Sequence, residues 1–199
     1  MTGTKKLLLT LGVVGIAGAT AGLGAYSAFT ATTSNTGNTI TAGTVVISQH
    51  AGATTLYAPS ADQGPGSTPI EKCVRVTYGG SLPASVKLYL SSGAITNGDK
   101  FNIKVERGSG LTTLDNSMSC AGFTPSSTAF NTATLSSFQS NHNAFSNGID
   151  GKAGGGAWSN GNSIDYRFTI AVVDDTTPNA HTTAYTASAH TFTWEAQSN

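Results

Sequence analysis

The chain has 199 residues, and its ten basic and ten acidic side chains give a formal net charge of zero. Proteins that bind nucleic acid or an anionic surface normally carry a basic excess, which this composition lacks. Only 10% of the residues are charged, and a sequence rich in Thr, Ser and Gly is more typical of extracellular β structure than of a helical cytoplasmic enzyme.

The first residues have the pattern of a secretory signal peptide. Lys5 and Lys6 precede an apolar run that starts at Leu7, and small residues follow close to position 28. We expect cleavage between Ala28 and Phe29, which would leave 171 residues with a net charge of −2. That length suits one domain.

An uncleaved membrane anchor is the alternative interpretation of the same stretch. Residues 7–26 are numerous enough for a helix that crosses a bilayer. Five glycines within them weaken such a helix, so cleavage is the preferred interpretation. The second choice of bond lies between Ala25 and Tyr26.

The predicted organisation is a signal peptide at 1–28, an N-terminal extended segment at 29–48 and a folded domain at 49–199. Residues 29–38 have neither helical periodicity nor many apolar side chains, so we expect them to be extended until another surface holds them. The first strand is predicted from Ile40 to Ile47, where β-branched residues are dense.

Alternating apolar and polar residues predict further strands, and Gly- and Pro-rich turns separate them. These strands are expected at 73–78, 86–90, 101–105 and 164–172, with a returning strand within 184–195. Residues 121–157 are predicted to form a long excursion packed down by isolated aromatic side chains, with a short helical turn at 133–139. Seven or more short strands indicate an all-β fold, an antiparallel two-sheet β-sandwich of jelly-roll-like type.

The mature chain contains two cysteines, Cys73 and Cys120. In an exported protein such a pair predicts a disulfide, with two unpaired buried thiols as the alternative. Neither cysteine has a Cys or His neighbour at metal-ligand spacing, so a metal role is not expected.

The sequence contains no motif that supports catalysis. No His-Glu-x-x-His zinc motif and no Gly-x-Ser-x-Gly nucleophile motif occurs, and the four histidines are scattered. A zinc site assembled from distant loops stays open as an alternative, as does calcium binding at Asp174 and Asp175, which is predicted to be a solvated turn. We therefore expect no catalytic residue, no metal, no cofactor and no small-molecule substrate.

Four aromatic residues near the end of the chain alternate on predicted strands. Tyr166, Phe168, Phe192 and Trp194 are predicted to be core residues. A carbohydrate-binding platform is the alternative, and exposure of Trp194 beside other aromatics in a groove would favour it.

A series of short landmarks runs along the chain: the leader at 5–12, the junction at 28–29, the strand opening at 42–45, and residues 78–84, 166–170 and 192–195. In this order they resemble the TasA/camelysin family of bacterial surface and biofilm-matrix proteins, whose leaders are removed by a dedicated signal peptidase. Cys73 and Cys120 are similar to a cysteine pair common in its actinobacterial-type branch, whereas Ala31 stands where some members have Asp.

The resemblance implies a secreted structural protein, located outside the cell or on its surface, that polymerises by donating its N-terminal strand to a neighbour. The partners implied are a second copy in a head-to-tail homopolymer, an accessory matrix protein, and the signal peptidase during export; nucleic acid is not among them. The expected donor-strand residues are Phe29, Ile40, Ala42, Gly43, Thr44, Val45, Val46 and Ile47. The alternatives are a camelysin-like surface metalloprotease and a monomeric carbohydrate-binding surface module.

Overall fold

Strands dominate the computed structural model, which describes residues 43–51, 55–57, 64–173 and 186–199. Within these ranges the chain forms eight strands, one α-helix and two short 3-10 helices. The strands are β1 (Ile47–Gln49), β2 (Ile70–Tyr78), β3 (Ala84–Leu90), β4 (Phe101–Ser109), β5 (Thr124–Thr134), β6 (Ile149–Asp150), β7 (Ser163–Val172) and β8 (Phe192–Ser198). The helix is α1 (Leu135–Asn141), and the 3-10 helices are Gly98–Lys100 and Phe145–Asn147.

The described strands form two antiparallel sheets. Sheet A has five strands in the order β1-β2-β7-β4-β5, and sheet B has three in the order β6-β3-β8. Every pairing between neighbours is antiparallel. The prediction of an all-β protein built from two antiparallel sheets is therefore confirmed.

The core lies between the sheets and is built from the alternating faces expected from the sequence. Val74 and Val76 of β2 and Tyr166 and Phe168 of β7 are fully buried, as is Leu88 of β3. Burying each such side chain contributes about 1.5–3 kcal/mol to folding. The alternation that predicted these strands therefore also stabilises the sandwich.

The prediction that residues 121–157 form a long excursion is wrong for residues 124–134, which form β5, the longest of the described strands. Eleven residues of β5 lie opposite a shorter stretch of β4, with three register shifts between the two strands. Such bulges break the period-two pattern, so the sequence does not show the strand. The helical turn exists as α1, and the Thr134 hydroxyl caps its first turn by accepting from the Ser137 N–H at 3.1 Å.

The first strand is also shifted from its predicted position. The predicted strand ends at Ile47, where β1 begins, and described residues 43–46 form no strand. Their backbone bonds instead to the β2–β3 turn: Leu82 N–H donates to Thr44 O at 3.1 Å, and Gly79 N–H donates to Val46 O at 2.9 Å. The last strand likewise begins at Phe192, after non-strand residues 186–191.

A disulfide joins Cys73 of β2 to Cys120. Cys120 belongs to the β4–β5 connection, residues 110–123, which we call the covering loop because it packs on the outer face of sheet A. Cys73 N–H donates to Met118 O of this loop at 2.9 Å, and Cys73 is fully buried although it points away from the core between the sheets. The predicted pairing of the two cysteines is present.

Replacing both cysteines with alanine should destabilise the protein without changing its fold. The bridge closes a sequence separation of 47 residues, for which the chain-entropy model gives about 4 kcal/mol. Urea unfolding of Cys73→Ala/Cys120→Ala should therefore show a lower midpoint, with a slope at least as steep because the unfolded chain is no longer cross-linked. An unchanged midpoint would contradict a stabilising disulfide.

Candidate functional site

An open groove of about 240 Å³ lies between β1, at the edge of sheet A, and β8, at the edge of sheet B. Residues 47–49 of β1 and Val76 of β2 form one wall, and residues 192–194 of β8 form the other. The lining is mixed, with Ile, Val, Phe and Trp side chains beside Ser, Gln and Thr. β1 and β8 lie close to each other here, so the groove is an opening to solvent along the adjoining edges of the two sheets.

Strand β8 borders this groove with a regular edge. It pairs with β3 through seven consecutive residue pairs, from Ala84↔Ser198 to Leu90↔Phe192, without a register shift. The sheet order puts no described strand on its other side. Among the described strands, β8 therefore has a partner on one side, β3.

The register shows which backbone groups of β8 face outward. Ser91 N–H donates to Thr191 O at 3.1 Å, and Asn199 N–H donates to Pro83 O at 3.3 Å. Because hydrogen-bonded pairs alternate along an antiparallel ladder, residues 193, 195 and 197 also direct their backbone groups to β3. The N–H and C=O groups of residues 192, 194, 196 and 198 point to the other side of β8, where no described strand lies.

The other edges of the described sheets are less suitable for strand addition. β1 has three residues and β6 has two. β5 is long, but three register shifts distort it and Pro125 lies near its start, and bulges and proline both discourage pairing at an edge. Among the described strands, β8 is therefore the long, regular edge.

The predicted donor-strand residues fall into two groups. Phe29, Ile40 and Ala42 lie outside the described residues, as does the predicted cleavage site at Ala28. Residues 43–46 are hydrogen-bonded to the β2–β3 turn of their own sandwich, and Ile47 lines the groove as part of β1. The described part of the predicted donor segment is thus already anchored.

The described histidines lie in separate environments. His50 Nδ1 accepts from Arg75 N at 2.8 Å, His142 Nδ1 contacts Asn147 O at 2.7 Å, and the His190 ring is hydrogen-bonded to Tyr57. Across the described ranges, no group of three or more His, Cys, Asp or Glu side chains is placed to hold a metal ion. His181, Asp174 and Asp175 lie outside those ranges.

The four aromatic residues divide between core and groove. Tyr166 and Phe168 are fully buried, whereas Phe192 and Trp194 are half-buried and line the groove. Trp194 packs on Tyr166 and Phe168 with ring centroids 5.3 and 5.8 Å apart. Packing on the core therefore fixes the two groove aromatics in position.

An ion pair with a buried carboxylate lies on the outer face of sheet A and joins β7 to β2, the strand that contributes Val76 to the groove. Asp165 of β7 is 1% exposed and accepts from Arg75 Nε at 2.6 Å and Nη2 at 2.8 Å. The Leu111 N–H of the covering loop donates to the same carboxylate at 2.9 Å. Because His50 bonds to both Arg75 N and Arg75 O, one network links the end of β1, β2, β7 and the covering loop.

Burial alone would raise the pKa of Asp165, but the hydrogen bonds from Arg75 and the Leu111 N–H outweigh it. The pKa of Asp165 therefore lies below its ordinary value. A carboxyl whose folded pKa is lowered stabilises the fold above its unfolded value of about 3.9, and that contribution is lost as the pH falls through the folded pKa. The network is accordingly complete at neutral pH.

Asp165→Asn should cost about 2–4 kcal/mol of unfolding free energy at pH 7, because it leaves the Arg75 guanidinium without a charged partner. Below pH 4 the difference between variant and wild type should shrink, because the wild type loses the same contribution there. Urea unfolding across this pH range measures both effects.

Asp150→Asn is the matched control for this substitution. Asp150 pairs with Lys87 at the surface and its side chain is 47% exposed, so the loss should be about 0–1 kcal/mol. Equal losses for the two variants would contradict the special role of Asp165.

The disulfide indicates an oxidising, non-cytoplasmic environment for the folded chain. In the described ranges no helix has the length and apolar character to span a membrane. Comparison with models of known protein families gave no match. Comparison with curated proteins also gave none.

Proposed function

We propose that this protein is an exported structural subunit of extracellular fibres, in which the N-terminal segment of one copy adds to the β8 edge of the next. The observation that carries the proposal is the groove between β1 and β8, beside the long regular edge of β8. An extended segment placed there would pair with the outward backbone groups of β8 and put alternate side chains between the sheets.

The donor in this proposal is residues 29–42 rather than the whole predicted segment. Residues 43–46 are bonded to their own β2–β3 turn, so moving them would break hydrogen bonds that exchange need not disturb. Ile40 and Ala42 alternate as a strand requires and could place apolar side chains against Phe192 and Trp194.

The geometry of exchange explains why a fibre would result. The donor leaves one copy and the acceptor groove belongs to another, so the contact is heterologous and need not close into a ring. The resemblance to the TasA/camelysin family supports the same proposal, together with a jelly-roll connection of the strands, a cleaved leader at 1–28 and secretion. The disulfide is compatible with folding after export.

Residues 29–199 should form filaments visible by negative-stain electron microscopy, whereas residues 43–199 should stay monomeric because they lack the donor. The shorter protein keeps the groove and should bind a synthetic peptide of residues 29–42, measured by fluorescence anisotropy. Filaments formed by residues 43–199 would contradict donor-strand exchange. Absence of filaments from residues 29–199 would contradict the fibre proposal, and absence of peptide binding would contradict the groove as the acceptor.

Ala196→Pro should abolish both assembly and peptide binding while preserving the sandwich. The N–H of Ala196 points to the unpaired side of β8, so proline there removes a donor for the incoming strand but no bond to β3. Far-ultraviolet circular dichroism and thermal melting of the variant check that it is folded. A folded Ala196→Pro protein that assembles at the wild-type rate would contradict β8 as the acceptor.

A second candidate function is carbohydrate binding in the same groove. Phe192 and Trp194 line it beside the polar residues Ser48 and Thr193, and aromatic faces with nearby hydroxyls suit a sugar ring. Quenching or shifting of tryptophan fluorescence by oligosaccharides in residues 43–199, competed by the peptide of residues 29–42, would support it. Peptide binding without any response to oligosaccharides favours the fibre subunit.

A further inference from the structure

Three of the four large apolar side chains that are exposed in the described residues lie where the N-terminal segment joins the sandwich. They are Val45, Val46 and Leu82, with exposures of 38%, 49% and 40%. We call them the root patch. Val45 and Val46 precede β1, and Leu82 belongs to the β2–β3 turn, whose Gly79 N–H donates to Val46 O. Exposed apolar side chains gathered in one place are typical of interaction surfaces.

Leu82 is held in its exposed position by its backbone. Its N–H donates to Thr44 O at 3.1 Å, and its carbonyl accepts from the hydroxyl of the fully buried Tyr78. A side chain presented by a fixed backbone loses less conformational entropy on binding than one on a mobile loop. The turn therefore presents a pre-organised apolar contact.

The root patch lies directly at the point from which the proposed donor departs. A Cβ on Gly43 would lie only 2.4 Å from the Leu82 side chain, so Leu82 covers this glycine closely. Thr44 is tied to Ser81 in both directions: Thr44 N–H donates to Ser81 Oγ at 2.8 Å, and Ser81 N–H donates to Thr44 Oγ1 at 3.4 Å. The first described residues of the chain are therefore held beside Leu82.

The two segments that carry the patch contain no charge that would oppose contact with another copy. Residues 43–46 and 79–83 include no Asp, Glu, Lys or Arg. The patch is also absent from the groove lining, so it is separate from the proposed acceptor. It therefore suits an apolar surface of a neighbouring subunit.

We propose that the root patch is a second contact between successive copies of this chain, in which Leu82 packs on the subunit that receives the donor strand. This inference rests on the proposed function, because the donor of residues 29–42 is what brings the two copies together. In a head-to-tail contact made by that donor, the surface around Gly43 lies at the boundary between the copies. Burial of Leu82 there stabilises the joint beyond the strand pairing itself.

Leu82→Asp in residues 29–199 tests this contact. Its filaments should elongate roughly tenfold or more slowly than those of the wild type, because an apolar contact is replaced by a buried charge. The control is Leu114→Asp, since Leu114 is 46% exposed but lies on the covering loop; this variant should elongate at the wild-type rate. Elongation is followed by light scattering after seeding with wild-type filament fragments.

Binding of the peptide of residues 29–42 to each variant separates the two proposals. Leu82→Asp should bind it with wild-type affinity and melt at a similar temperature, because the groove does not include Leu82. Wild-type elongation by Leu82→Asp would overturn the root-patch contact and leave the fibre proposal intact. Loss of peptide binding by a folded Leu82→Asp would also overturn it, by making Leu82 part of the acceptor. If the wild type forms no filaments, both proposals fail.

Discussion

The backbone groups of β8 that point away from β3 are the constraint on which the organisation of this sandwich depends. Sheet B has three described strands against five in sheet A, and no described strand lies on the outer side of β8. N–H and C=O groups on such an edge need partners from water or from another strand. The half-buried Phe192 and Trp194 on the same strand give an incoming segment apolar surface as well as hydrogen bonds.

The outer face of sheet A, which points away from sheet B, is covered and cross-linked. The disulfide, the buried Arg75–Asp165 pair and the covering loop fix β2 and β7 relative to each other. His50 extends the same network to the end of β1, which forms one wall of the groove. A rigid wall lowers the entropic cost of binding a flexible segment. The cross-linked outer face of sheet A therefore supports the function proposed for the groove.

The sequence predicts the parts of the fold in which alternation is uninterrupted. β2, β3, β4 and β7 were identifiable because their apolar residues repeat with period two, and the cysteine pair was identifiable from its count. β5 was not, since three bulges and a Ser/Thr-rich composition remove the repeat. Residues 43–46 have strand-like composition, but their backbone groups bond to a turn, which local propensity does not encode.

The candidate site was less predictable than the fold, because it joins distant parts of the chain. Residues 47–49 and 192–194 face each other across the groove, and no short motif links them. Phe192 and Trp194 were predicted as core residues from their alternation, which gives their direction but not where sheet B ends. The exposure of Leu82 was not predictable from the sequence, because it follows from hydrogen bonds to Thr44 and Tyr78.

Electron cryomicroscopy of filaments formed by residues 29–199 tests the central claim most directly. The predicted result is a strand beside β8, hydrogen-bonded to residues 192, 194 and 196 and continuous with residues 29–42 of the neighbouring copy. Filaments in which the β8 edge is empty, or is occupied by the N-terminal segment of the same copy, would contradict donor-strand exchange at this groove.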